Sequence, residues 1–310
     1  MSLKQKEEIT IWAFKDGKKG HEKQIEALIY EFSIRVKVQT VEIDCSTNFK
    51  NWPQNFKDSP DILIGAGNKT HHFMLQVKDH LKSPKTIVLM RPSFKPTQLF
   101  DFAIVPEMDK YIFYTPKNVL WSKGVLCKHY DKKPISGTGI IVIGGSSRHY
   151  SFNKKLISYQ LKMILEKFPD IHWKVTSSPR SPNFDIPKHG GNAEFFNWKN
   201  VQQDWLSNEM STSEYTIVTP DSVSSVYEAL STNSKTIVFQ LNLHQNQHGQ
   251  IKTKVTKNID QLKKSQEIGY VDVIRKGVFG RMEDIKINLP KKSAPLRESK
   301  RIVDLLMDAM

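Results

Sequence analysis

Short apolar runs alternate with amphipathic segments along the chain, and this alternation predicts strands and helices in turn. The apolar run at residues 9–14 (ITIWAF) precedes a segment at 20–31 whose apolar residues recur at helical spacing. Residues 35–43 alternate like a half-buried strand, buried strands are predicted at 61–67, 85–90 and 100–105, and a helix is predicted at 69–81. Short apolar strands separated by helices are typical of a parallel α/β sheet.

A polar stretch at residues 131–139 (DKKPISGTG) predicts a linker, after which the alternation restarts. Strands are predicted within 140–147, 171–182, 214–222 and 235–239, with helices at 153–168 and 222–232. The last segment, RESKRIVDLLMDAM, has helical spacing and is expected to cross back onto the first half. We therefore expect two α/β domains, one formed by residues 1–133 with a C-terminal helix at 296–310, the other by 134–295.

Composition narrows the classes of protein that the chain can represent. The 310 residues suffice for two domains, and a hydrophobic content of 38% excludes a disordered chain. A net charge of +14 favours anionic partners such as nucleotides, nucleic acid or acidic lipid, although a lysine-rich composition accounts for it equally well. Two cysteines, Cys45 and Cys127, exclude a disulfide framework and suit a reducing compartment. The sequence shows no secretory signal and no apolar run of about 20 residues, so we expect a soluble protein or one attached to a membrane surface.

The loop after the first strand, DGKKGHEKQ, carries candidate chemistry. Ligands of open α/β sheets bind at the carboxyl ends of strands, where glycines let the backbone approach and helix N-termini favour anions. Asp16 and His21 are titratable, and either is able to take a proton from an attacking hydroxyl; Gly17, Lys18 and Gly20 lie beside them. The alternative is a tight turn in which a polar residue caps the helix.

Two further strand ends in the N-terminal half carry polar residues. In GAGNKTHH, Lys69 is suited to a phosphate, while capping of the following helix is the favoured role of Asn68 or Thr70. In MRPSFKP, Arg91 is either a charge clamp or a solvated side chain.

Strand ends of the C-terminal half predict a nucleotide site. The turn in IIVIGGSSRHY suits a diphosphate, and it matches neither GxGxxG nor a P-loop, which disfavours a dehydrogenase or a P-loop ATPase. In TPDSVSSVYEA, Asp221 or Ser222 is expected to cap a helix, and Glu228 either bonds a ribose or is solvated. The predicted nucleotide-binding residues are Gly144, Gly145, Ser146, Ser147, Arg148, Thr176, Ser177, Arg180, Asp221, Ser222, Val223, Ser224 and Glu228.

Metal and nucleophile chemistry find little support in the sequence. His244 and His248 lie four residues apart in HQNQH, but their setting is typical of a polar surface loop. HExxH and GxSxG motifs are absent, and Cys127 has no recognisable partner. We expect no bound metal and no cofactor.

Seven stretches, in their order along the chain, together resemble the Elm-type family. They are DGKKGHEKQ, PDILIGAGNKTH, TIVLMRPS, FDFAIVPEMD, IIVIGGSSRHY, VTSSPRSP and TPDSVSSVYEAL. The resemblance runs from about Trp12 to Phe239 and more loosely to the end. Members in plants carry the label mitochondrial fission protein, and bacterial members are described as glycosyltransferases. The family is similar to the GT-B glycosyltransferases and, more distantly, to the MurG-like N-acetylglucosaminyltransferase.

The resemblance implies a GT-B-like α/β fold, with two Rossmann-like domains facing each other across a cleft. It implies a nucleotide-sugar in the C-terminal domain and an acceptor, such as lipopolysaccharide core or another envelope or lipid-linked glycan, in the N-terminal domain. His21 would be the base and Asp16 would orient it, although either residue can fill the first role. Metal-independent transfer would rely on helix dipoles and basic side chains.

The implied location is cytoplasmic, or peripheral on the inner face of the cytoplasmic membrane. Gly17, Lys18, Gly20, Asn68, Lys69, Thr70 and Arg91 would form the acceptor side, with the basic residues facing an anionic membrane surface. The alternative is a non-catalytic, membrane-associated adaptor that keeps the fold. Nucleic-acid binding rests on charge alone and is not expected.

Overall fold

The computed structural model describes residues 5–45, 59–81, 84–111, 113–182, 191–202, 204–247, 249–277, 280–291 and 294–310. The chain divides into two compact units, Met1–His129 with Arg297–Met310, and Tyr130–Leu296. The expected boundaries, after residues 133 and 295, differ from these by four residues and one. Of the residues singled out in the sequence, His248 lies outside the described part.

The N-terminal unit contains a six-stranded parallel sheet. Its elements are β1 (Glu8–Lys15), α1 (Lys19–Ser33), β2 (Lys37–Asp44), β3 (Ile62–Ala66), α2 (Asn68–His80), β4 (Lys85–Leu89), β5 (Phe102–Pro106) and β6 (Val119–Ser122). The strand order is β2-β1-β3-β4-β5-β6, and each neighbouring pair is parallel. The order reverses next to β1, because the chain moves to one side for β2 and to the other for β3.

The C-terminal unit contains a separate seven-stranded sheet. Its elements are β7 (Ile135–Val142), β8 (Tyr150–Ser151), α3 (Lys154–Lys167), β9 (His172–Thr176), β10 (Ala193–Phe196), α4 (Trp205–Thr212), β11 (Ser213–Val218), α5 (Val223–Leu230), β12 (Lys235–Val238), β13 (Asn242–Leu243), β14 (Gln245–Asn246), β15 (Gly249–Gln250), α6 (Lys254–Lys264), β16 (Gly269–Lys276) and β17 (Arg281–Asn288). The order is β10-β9-β7-β11-β12-β16-β17, and β17 runs antiparallel to β16. Here the order reverses between β7 and β11.

The last helix, α7 (Glu298–Ala309), packs on the N-terminal unit, as its apolar spacing predicts. Ile302, Val303 and Leu306 of α7 join α1 on one face of the first sheet. The other face packs against Met74 and Val77 of α2. Successive residues of β1 serve opposite faces, so the strand is buried on both sides, and its continuous apolar run reflects this.

The structure confirms the predicted α/β class and its two Rossmann-like halves, and it corrects the predicted linker. Residues 135–139, expected in the linker, begin strand β7, which pairs with β9 and β11. A side chain at Gly139 would meet the ring of Trp173 at 2.3 Å, so glycine is needed for close packing and not for a flexible connection. The polar composition that indicated a loop arises at an exposed strand end.

Candidate functional site

The first strand-to-helix loop pairs the two titratable residues that the sequence singled out. His21 Nδ1 lies 2.9 Å from Asp16 Oδ2, and the Lys18 backbone N–H donates to Asp16 Oδ1 at 3.2 Å. The Asp16 side chain is buried, whereas His21 is partly exposed. Gly17 has a φ of 79°, a conformation that glycine adopts without strain. The loop therefore presents a carboxylate-oriented imidazole at the carboxyl end of β1.

The loop after β3 packs directly against this Asp16–His21 dyad. A Cβ added at Gly67 would lie 2.7 Å from both Asp16 Oδ2 and His21 Nδ1. Gly67 has a φ of 90° and a ψ of 152°, a region essentially restricted to glycine. The order of the first sheet reverses between β1 and β3, which is where open α/β sheets bind ligands. The dyad thus lies at the expected crevice of the N-terminal unit.

A second histidine, His71, lies buried in the first turn of α2. In the described part of the chain neither ring nitrogen has a hydrogen-bond partner, and the ring centroid lies 5.4 Å from that of Phe100. Burial, with a smaller contribution from His21, lowers the pKa of His71 to about 4. His71 is consequently neutral at physiological pH, and it contributes no charge beside the dyad.

The remaining residues predicted on this side take varied positions. Lys69 is exposed in the first turn of α2, and Gly20 lies in the first turn of α1. The Arg91 guanidinium stacks 4.2 Å from the Tyr111 ring centroid and donates to the Lys110 carbonyl. Arg91 thus contacts the neighbouring loop.

The helix-capping roles expected here are wrong. Gly67 occupies the N-cap of α2; Asn68 is already helical, and its Oδ1 accepts from the Ser93 N–H at 3.1 Å. Thr70 Oγ1 donates to the Gly67 carbonyl instead of accepting from a backbone N–H. Helix α1 likewise begins after Lys18, which supplies no side-chain cap. The prediction of capping residues failed because residue type locates a helix start only to within one or two positions. A side chain caps the helix only if it occupies the N-cap position itself.

In the C-terminal unit, the loops after β7 and β11 meet at the reversal of strand order. The Gly144 N–H donates to Thr219 Oγ1 at 2.7 Å, and the Gly145 N–H donates to Asp221 Oδ2 at 3.2 Å. Arg180 Nη2 lies 2.9 Å from the same carboxylate oxygen. Burial raises the pKa of Asp221 above its usual range, against the opposing effects of Thr219, Gly145 and Arg180. Glycine is required at 145 because a Cβ there would lie 1.9 Å from the Arg180 carbonyl.

The serines of these loops mostly stabilise the loops themselves. Ser147 Oγ accepts from the backbone N–H groups of His149 and Tyr150, and the Ser147 carbonyl accepts from His244 Nε2 at 2.7 Å. Thr176 Oγ1 donates to the Phe196 carbonyl at 2.9 Å and, at 3.4 Å, to that of Ser177. By contrast, Ser146 and Arg148 are exposed beside the glycine turn.

Helix α5 begins after Ser222, whose side chain provides no cap, so the expected capping by Ser222 or Asp221 is also wrong. Ser222 Oγ instead accepts from Ser225 Oγ at 2.9 Å, and Val223 and Ser224 form the first turn. Glu228 is buried, and its Oε1 accepts from Ser207 Oγ of α4. It is therefore not the solvated side chain of the alternative interpretation.

Four residues of these sites escaped the sequence analysis, namely Gly67 against the dyad, His71 beside it, Thr219 on Gly144 and Ser207 on Glu228. His244 was considered only as a metal ligand, and its contact with the Ser147 carbonyl was not foreseen. Position after a strand was a usable signal for Gly67 and Thr219. The others depend on packing between distant segments. Within the described residues, no group of three or more His, Cys, Asp or Glu side chains is arranged to hold a metal ion. Nor does that part contain a helix long and apolar enough to span a bilayer.

The fold and the sites define a class of α/β protein: two Rossmann-like units, each with a glycine-containing polar loop cluster at a reversal of strand order. The chain belongs to the family described as mitochondrial fission ELM1, whose model matches residues 19–310. This confirms the resemblance drawn from the sequence. A comparison with curated protein sequences finds no significant match.

Solved structures with a similar fold are glycosyltransferases and epimerases. Phytolacca americana UGT2, complexed with UDP-2fluoro-glucose and pterostilbene, is 10% identical, with 97% of this chain and 90% of that chain covered and a TM-score of 0.49. The UDP-GlcNAc 2-epimerase from Neisseria meningitidis is 11% identical, with coverage of 97% and 100% and a TM-score of 0.47. The spinosyn forosaminyltransferase SpnP is 8% identical, with 84% of each chain covered and a TM-score of 0.49. At these levels of similarity, the neighbours do not indicate a reaction for this chain.

Proposed function

We propose that the protein is a glycosyltransferase that moves a sugar from a nucleotide-sugar to a glycan or lipid-linked acceptor. The observation that carries the proposal is the Asp16–His21 dyad, with a buried carboxylate 2.9 Å from His21 Nδ1. Membership of the ELM1 family and the two Rossmann-like units support it. An envelope acceptor such as lipopolysaccharide core, at the inner face of the cytoplasmic membrane, is part of the proposal.

The dyad geometry fits the base of a glycosyl transfer. A hydrogen bond from Nδ1–H to Asp16 leaves the Nε2 lone pair of His21 available to accept a proton. As the acceptor oxygen forms its bond to the anomeric carbon, its proton passes to Nε2. The bond from that carbon to the diphosphate breaks, and its electron pair leaves with the diphosphate. Asp16 then stabilises the imidazolium that has formed, as a carboxylate does in other histidine-based sites.

On the donor side, the proposed diphosphate would bind near Arg180 and the glycine turn. In the structure Asp221 accepts from Arg180 and from the Gly145 N–H. A diphosphate offers the same kind of oxygen acceptor, so it would compete with Asp221 for these donors. Together with the uncapped N-terminus of α5, they would stabilise the leaving group without a metal ion. Glu228 would contact the ribose.

The test compares variants of the dyad with a matched histidine control. Nucleotide-sugars are screened by thermal shift, since a ligand at ~100 times its Kd stabilises a fold by roughly 2.7 kcal/mol. Release of nucleoside diphosphate is then measured with the stabilising donor and a membrane-lipid extract as the acceptor. His21→Ala should retain donor binding and lose about 10²–10⁴-fold in turnover. His72→Ala, which removes an exposed imidazole of α2, should retain both.

The same experiment decides between the two dyad residues. If His21→Ala is fully active and Asp16→Asn is inactive, Asp16 is the base. If both variants turn over like the wild type, the loop is structural and the proposed mechanism is wrong.

A second candidate is a non-catalytic adaptor, which the family's description as a mitochondrial fission protein favours. An adaptor requires neither a donor nor a base. Absence of stabilisation by any nucleotide-sugar, together with unchanged partner recruitment in His21→Ala, would favour the adaptor over the enzyme.

A further inference from the structure

Two loops of the N-terminal unit expose aromatic side chains that a globular protein usually covers. Phe94, after β4, is 82% exposed, and Phe113 and Tyr114, between β5 and β6, are 98% and 63% exposed. The other Phe, Tyr and Trp side chains that the structure describes in this unit are partly or fully buried, and Phe14 and Phe32 are among the fully buried ones. An isolated exposed apolar residue is ordinary, but three large rings on adjacent loops require an explanation.

Polar contacts fasten the two loops together, so the rings belong to one surface. Thr97 Oγ1 lies 2.6 Å from the Tyr111 hydroxyl, and Arg91 stacks on the same tyrosine ring. Asn118 Nδ2 donates at 2.8 Å to the carbonyls of Thr97 and Phe100. We call residues 91–99, 110–111 and 113–117 the aromatic–basic surface.

Basic side chains outnumber acidic ones on and beside this surface. It carries Arg91, Lys95, Lys110 and Lys117, all exposed, and the nearest acidic residues in its two loops are Glu107 and Asp109, directly before Lys110. The carboxylate of Asp101, between the two loops, is already paired with Lys78 and Lys85. Exposed aromatic rings interspersed with an excess of basic side chains are complementary to an anionic lipid surface, where rings enter the interface and cations meet the headgroups.

The position of the surface relates it to the candidate active site. Strands β1, β3, β4 and β5 are parallel, so the loops that follow them share one edge of the sheet. The dyad follows β1, and the aromatic–basic surface begins after β4. The hydrogen bond from the Ser93 N–H to Asn68 Oδ1 joins the aromatic–basic surface to the loop after β3. That loop packs against the dyad through Gly67.

We propose that the aromatic–basic surface docks the N-terminal unit on an anionic membrane through insertion of Phe94, Phe113 and Tyr114. The inference deepens the proposed function, on which it rests for the lipid-linked acceptor. Docking at this edge would bring an acceptor headgroup from the bilayer to the side of the sheet that carries His21. Binding itself requires no turnover, so it is measurable whether or not the protein is an enzyme.

Sedimentation with vesicles tests the docking directly. The full chain is mixed with vesicles of phosphatidylcholine alone, or of phosphatidylcholine with 30% phosphatidylglycerol, at low and high salt. We expect binding to the anionic vesicles, weakened by salt. A Lys95→Gln/Lys110→Gln variant should bind at least about tenfold more weakly, because each basic residue near such a surface is worth about fivefold.

Removal of the rings tests insertion separately from charge. Phe94→Ser/Phe113→Ser should weaken vesicle binding by about tenfold or more, since an inserted ring leaves water. Phe195→Ser is the control, because Phe195 is an exposed ring, 44% accessible, in the C-terminal unit. His21→Ala should bind vesicles like the wild type, which separates a failure of docking from a failure of catalysis.

Depth of insertion and an alternative ligand complete the test. Phe113→Trp should be quenched by brominated lipid, and Phe195→Trp should not. Equal vesicle binding by the ring variants and the wild type, or equal quenching at the two positions, overturns the proposal. So does a wild type that ignores anionic vesicles but binds a single-stranded oligonucleotide through Phe94 and Phe113, since the surface is then a nucleic-acid site.

Discussion

The contact between Gly67 and the dyad allows a strong prediction for Gly67→Ala. An alanine Cβ would lie 2.7 Å from Asp16 Oδ2, 2.7 Å from His21 Nδ1 and 2.8 Å from His21 Cε1, all closer than Cβ contacts in proteins. The backbone φ of 90° adds strain for any residue with a Cβ. Backbone strain of this kind costs about 1–3 kcal/mol. Overpacking costs a further 1–3 kcal/mol or so, unless the dyad separates to relieve it.

Gly277→Ala is the matched control. Gly277 also has a positive φ, 78°, but a Cβ added there would meet no atom within 4 Å. Gly277→Ala therefore bears the backbone strain of a positive φ without the steric clash. We expect Gly67→Ala to lose more unfolding free energy in urea than Gly277→Ala. The proposed transferase activity should fall toward the level of His21→Ala, while Gly277→Ala stays active. Donor binding in the C-terminal unit should be unchanged in both.

Two results would refute this reasoning. One is a Gly67→Ala protein whose stability equals that of Gly277→Ala. The other is a histidine NMR spectrum in which His21 of Gly67→Ala keeps the ring tautomer and hydrogen bond of the wild type. The first would show that the added Cβ costs no more than backbone strain, and the second would show that the β3 loop does not hold the dyad in place.

Other consequences of the structure are testable with single variants. Burial lowers the pKa of His71 to about 4, so between about pH 6.5 and 4 the unfolded chain binds more protons than the folded chain. The free energy of unfolding should therefore fall as the pH is lowered through that window. His71→Leu should reduce this loss in acid denaturation curves. Because the pKa of Asp221 is raised, its contribution to stability should instead decline as the pH rises above its ordinary value near 4, and Asp221→Asn should flatten that dependence. Glu228→Ala should weaken nucleotide binding in calorimetry, whereas Ser207→Ala removes only the internal hydrogen bond and should weaken it less; equal affinity of Glu228→Ala and wild type would remove Glu228 from the site. Burial, with Asp44 and Asp16 nearby, raises the pKa of Cys45 to about 12. At pH 8 this thiol should therefore resist alkylation until the protein is unfolded. Fast modification of the native protein would contradict its burial.

Local patterns in the sequence were sufficient for the class of fold, and they selected the loops at which ligand binding stays a prediction. Alternation of apolar runs with helical spacing arises from burial of each element against its neighbours, so it records the α/β arrangement residue by residue. The pairing of Asp16 with His21 was also predictable, because the two residues share one loop and are five positions apart. Open α/β sheets bind ligands in the loops after their strands, which is why candidate loops could be named in advance.

Only the tertiary structure decided which distant groups meet. Gly67 contacts the dyad because β3 lies next to β1. Arg180 follows β9 and Asp221 follows β11, and the two residues meet because both strands are neighbours of β7. Residues 135–139 form a strand because Trp173 packs over Gly139, although their composition indicates a loop. Strand order and close packing join residues far apart in the chain, and a pattern read over ten or fifteen residues carries no information about such pairs.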